Sequence, residues 1–102
     1  MTEVVEFTLH VKPGHYDEVA ALYSDFVHDY VEINPALSTV LIVGDPAAGL
    51  VRGIGVFDTA ADAAEVNSDH IFATFNDRIA PLISGTPDRV MLDLLHVWAD
   101  SR

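Results

Sequence analysis

The stretches "NSDHIFATF" and "LLHVW" carry the two histidines, His70 and His96, best placed for acid–base chemistry. An imidazole titrates near neutrality, so it can take a proton from a bound substrate or ligate a metal. His96 shares one alternating face with Val90, Leu92, Leu94 and Trp98. If that face looks toward the helices, His96 and Trp98 line one cavity with Phe7, Phe26 and Phe75. A core histidine hydrogen-bonded to backbone explains the same pattern more plainly. His70 precedes Ile71, Phe72, Phe75 and Ile79, whose spacing makes one apolar helical stripe. At ~100° per residue it lies roughly 160° from the centre of that stripe, facing water or a subunit boundary. A helix amino end keeps such a ring neutral, which suits a base. The direction does not suit one. His96 is therefore the expected proton acceptor, with His70 second.

Asp25, His28 and Glu32 share a helical face at i, i+3 and i+7, a spacing open in principle to a metal. Their neighbours are mostly polar or small, so a solvated acidic face is expected there, and no metal site. The chain has no cysteine, which excludes a disulfide framework, a zinc ribbon and thiol catalysis. It has no Gly-rich phosphate loop after a strand, no Gly-x-Ser-x-Gly elbow and no His-Glu-x-x-His. The net charge of −11 comes without the basic patch that nucleic acid or an anionic membrane needs, and reads as solubility. The acidic start "MTEVVEF" has neither the basic flank nor the apolar core of a leader, so a cytoplasmic protein is expected.

The elements that would position these groups follow from hydrophobic period. Residues 1–102 suit one domain. "EVVEFTLHV" alternates, with Val5, Phe7, Leu9 and Val11 on one face of a half-buried strand, and "KPG" ends it. From His15 to Ile33 the period turns helical, with Val19, Leu22, Tyr23, Phe26, Tyr30 and Ile33 in one stripe, and "NP" stops it. "ALSTVLIVG" and "LVRGIGVF" flank the turn-rich "DPAAG" as a hairpin. Gly53 and Gly55 leave space on one face of the second run, as at a bulge, a tight twist or a close ligand approach. Thr59 and Asp62 make an acidic capping box, and a second helix is expected from about Asp69 to Pro81. "RVMLDLLHVWA" is apolar on both faces, so a last strand buried on two sides is expected.

The order β-α-β-β-α-β is that of an α+β, ferredoxin-like fold. Helices would cover one sheet face and leave the other, largely apolar, for a partner. A second copy on a two-fold axis is the simplest, so a homodimer is expected.

With "VKPG" after the first strand and "GVFDTAADAAEVNSDHIFATF", this order resembles the antibiotic biosynthesis monooxygenase family of dimeric α+β barrels. The resemblance implies a small cofactor-free monooxygenase acting on an electron-rich aromatic, quinol-like or polyketide-like, in an aromatic cavity between sheet and helices. Phe7, Tyr23, Phe26, Phe57, Phe72, Phe75 and Trp98 are the expected substrate contacts, with Asn76 as a polar anchor beyond the stripe's edge. The family's haem-degrading branch carries an Asn on the first strand, a Trp before the last helix and a His within it. Phe7, roughly Val66, and Phe75 stand there instead, so neither haem nor another cofactor is expected. The same departures favour a rival from another class, a non-catalytic small-ligand-binding or interaction protein on the same scaffold.

Overall fold

The computed structural model describes residues 2–32, 35–68 and 70–98. Strand β1 (Glu3–His10) leads into helix α1 (Tyr16–Phe26), continued by a π-helical turn over Val27–Val31. Strands β2 (Leu37–Asp45) and β3 (Leu50–Phe57) form the hairpin, α2 (Ala60–Ser68) and α3 (His70–Ile79) follow, and β4 (Asp88–Asp93) closes the order. The sheet runs β2-β3-β1-β4, antiparallel throughout. This is the ferredoxin-like arrangement expected from the hydrophobic period.

Local chemistry explains most boundaries. Asp45 accepts hydrogen bonds from the amides of Ala47 and Ala48, and Gly49 takes φ 65° to complete the hairpin turn. Thr59 Oγ1 accepts from the Asp62 amide at 3.1 Å and donates to its carboxylate at 2.9 Å, so Thr59 caps the helix where the sequence predicted. In the π turn the Glu32 amide donates to the Val27 carbonyl. A fixed step of 100° cannot foresee this wider turn, and it buries Val27 beside Phe26. The predicted helix end at Ile33 and Asn34 lies outside the described residues.

The register sorts the sheet into two faces. Toward the helices, Ile42, Gly53, Phe7 and Arg89 make one cross-strand row, and Val40, Gly55, Val5 and Met91 the next. Leu9, Val19, Val51 and Ile79 are fully buried between this face and the helices. On the outer face the rows are Thr39–Val56–Val4–Leu92, Leu41–Ile54–Glu6–Val90 and Val43–Arg52–Thr8–Asp88.

The last strand differs from expectation. β4 is an edge strand paired only with β1, exposed along its length, and it ends at Asp93. Residues 94–98 form no described ladder, leaving Leu95 92%, Val97 69% and Trp98 77% exposed. The two-sided apolar pattern here belongs to an exposed edge strand rather than to a buried one.

Candidate functional site

The expected aromatic cavity is a filled core. The Phe26 and Phe75 rings stack at 4.5 Å, and Phe72 meets Phe7 edge-on at 5.0 Å and Phe26 at 5.3 Å. Tyr23 lies 5.1 Å from Phe75 and 6.1 Å from Phe7, so the five rings pack on one another. They leave a void of about 40 Å³ near Tyr23, Phe26, Gly53 and Phe57, room for little more than one water molecule. Phe57 belongs to a separate small cluster with Val5 and Ala63.

Tyr23 decides what the strand glycines do. A Cβ on Gly53 would collide with the Tyr23 hydroxyl, and one on Gly44 with the hydroxyl of Tyr16, seven residues earlier on α1. The space predicted beside Gly53 therefore houses a tyrosine rather than a bulge, a twist or a ligand. Burial pushes the Tyr23 phenol well above its ordinary range, so it stays protonated and cannot serve as a base near neutral pH.

A cavity large enough for a small molecule lies one step toward β4. It is a cleft of about 410 Å³ with Phe7 at its floor and Arg89 on the strand wall. Asn76, Asp77 and Ala80 form the helix side, and Ile83, Gly85, Thr86 and Pro87 close one end. The closing loop is tied back to the strand end. The Ser84 amide donates to the His10 carbonyl, the Lys12 amide to that of Leu82, and Val11 bridges Ile83. Asn76 sits where the helical count put it, just past the stripe, and its Oδ1 is buried with no hydrogen-bond partner. A buried amide oxygen left unpaired costs about 1–3 kcal/mol.

Only Phe7 and Asn76 of the predicted contacts line this cleft; Tyr23, Phe26, Phe72 and Phe75 stand behind it as core. His96 and Trp98 are exposed on the segment after β4, away from the cleft, because the strand stops before it reaches them. The His70 side chain lies outside the described residues. His28 pairs with Glu32 at 2.9 Å on the helix surface, and no metal-binding group of acids and histidines occurs among the described residues. Arg89, Asp77 and Thr86 were not foreseen. The signal available was the turn-rich "SGTPDR", which delivers one of only five basic residues to a strand start.

The sequence matches no family model and no curated protein at a significant level. Solved structures do match. A Mycobacterium tuberculosis protein superposes with TM-score 0.82 at 9% identity, covering 97% of this chain and all of that one. A Nitrosomonas europaea protein provisionally named an antibiotic biosynthesis monooxygenase gives 0.81 at 14%, covering 93% and 91%. A structure named antibiotic biosynthesis monooxygenase gives 0.77 at 18%, covering 94% and 100%. The chain has the antibiotic biosynthesis monooxygenase fold. Identities this low establish architecture, and chemistry has to be argued from the site.

The haem-degrading branch of that fold does not fit these residues. Phe7 and Phe75 are buried with their rings packed, so neither position offers a polar anchor or an axial nitrogen. The side chain of Val66 lies outside the described residues. Haemin mixed with the protein and a reductant is expected to show no protein-dependent loss of the Soret band, measured against a protein-free control.

Proposed function

We propose that the Phe7–Asn76–Arg89 cleft binds an electron-rich aromatic molecule and that the protein oxygenates it without a cofactor. The observation that carries this reading is the cleft itself, set between sheet and helices of a monooxygenase-type fold, with Asn76, Asp77 and Arg89 around an aromatic floor. In such chemistry a base removes a proton from an activated CH₂ group, and the stabilised carbanion adds to dioxygen. Loss of water from the hydroperoxide leaves a carbonyl, so one oxygen atom stays in the product and the other departs as water. The protein's part is desolvation, orientation and a proton acceptor. Among the described residues lining the cleft, Asp77 is the side chain able to accept that proton. Oxygen uptake with a panel of quinol-like and anthrone-like substrates tests the reading.

The absence of a described histidine from the cleft favours a second reading, a binding protein without turnover. Tight binding of one of these aromatics with no oxygen uptake would establish it.

The same reading includes a second copy. Leu41, Val43, Val90 and Leu92 are 53%, 45%, 48% and 42% exposed on the outer sheet face, and the apolar 94–98 segment continues beyond it. Exposed apolar side chains on both edge strands of one sheet face favour a covering partner. Sedimentation at micromolar concentration is expected to show a dimer, and Leu41→Glu to shift it toward monomer. A stable wild-type monomer under those conditions overturns the barrel assembly.

A further inference from the structure

Among the described residues, Arg89 is the cation that lines the cleft. Lys12 donates to the Pro81 carbonyl, and Arg52 donates to Thr8 Oγ1 with Glu6 at 3.9 Å. Arg89 has no ion pair among the described residues, although the chain carries 16 acids. The register sets it directly beside Phe7 on the helix-facing side, and its guanidinium carbon lies 6.0 Å over the Phe72 ring. An arginine held against an aromatic face keeps its planar fork of donors free for a carboxylate or a phenolate.

From this placement we infer that the cleft selects aromatic anions: a hydroxylated ring on Phe7, with its acidic oxygen paired to Arg89. Asp77 on the helix wall disfavours a ligand whose charge points the wrong way. The long-range field of a chain with net charge −11 repels any anion, so selectivity has to come from this one local pairing. The inference deepens the proposed function by naming a substrate class, and it rests on the cleft being the binding site.

Two probes of one shape separate the outcomes. 2-Hydroxybenzoate and 2-hydroxybenzamide are titrated into the full chain at low ionic strength, followed by amide shifts in the NMR spectrum. The acid is expected to bind about fivefold or more tightly than the amide, with the largest shifts near Phe7, Asn76 and Arg89. Arg89→Gln is expected to abolish that preference, and Arg89→Lys to keep part of it, since the charge remains without the fork. Equal affinities, a preference surviving Arg89→Gln, or no binding of either probe at millimolar concentration overturns the inference. An anion preference without oxygen uptake on any substrate supports it while removing the oxygenase reading. Uptake with neutral quinols and no anion preference does the reverse.

Discussion

Gly53→Ala is expected to destabilise the protein by about 2–3 kcal/mol, a loss of roughly 10–20 °C in melting temperature for a domain of this size. The added Cβ would fall on the Tyr23 hydroxyl and ring, and that ring is wedged between Phe7 and Phe75. The ring cannot yield without displacing the neighbours that define the core. Gly55→Ala should cost less, because its Cβ would sit 3.1 Å from Phe57 Cε2, a contact relieved by a small ring movement. Gly14 has open space around it, but its φ of 85° adds a backbone penalty of about 1 kcal/mol to an alanine there. The expected ranking places Gly53 well above the other two. Combining Gly53→Ala with Tyr23→Leu should recover part of the loss, since contacting residues are not additive. A Gly53→Ala variant melting with the wild type would mean that Tyr23 does not occupy the strand glycine.

The same pair shows what the sequence could and could not say. Alternation placed Val5, Phe7 and Leu9 on the buried face, and the Thr59 cap placed the start of α2, because both signals are local. The space beside Gly53 was equally visible, yet its occupant comes from 30 residues earlier, and single-chain periodicity carries no such pairing. For β4 the apolar pattern was read as burial, whereas sheet order made it an edge. A strand that awaits a partner and a strand buried within its own chain have the same composition. The cleft was half legible. Asn76 followed from counting along α3, while Arg89 enters only through the β1–β4 register that sets it beside Phe7.

The proton acceptor separates the sequence reading from the structural one most sharply. Alternation favoured His96, but the structure sets it on the exposed segment after β4, and the carboxylate in the cleft is that of Asp77. If Asp77 takes the proton, Asp77→Asn should reduce oxygen uptake on a responsive substrate by ~10²-fold or more, the usual scale for a general base. An amide of the same shape keeps the wall of the cleft but cannot hold a proton. Binding of the substrate should change far less than turnover, and folding little, since Asp77 is exposed. His96→Ala should leave uptake within a few-fold of wild type if each chain acts alone. The opposite pattern, with His96→Ala abolishing uptake and Asp77→Asn sparing it, would place the base on a second copy. If instead both variants abolish uptake, mixing His96→Ala with Asp77→Asn chains decides where the two groups act. Activity appearing on subunit exchange requires the two groups to serve one site from different chains, whereas a mixture as inactive as its parts keeps them on the same chain.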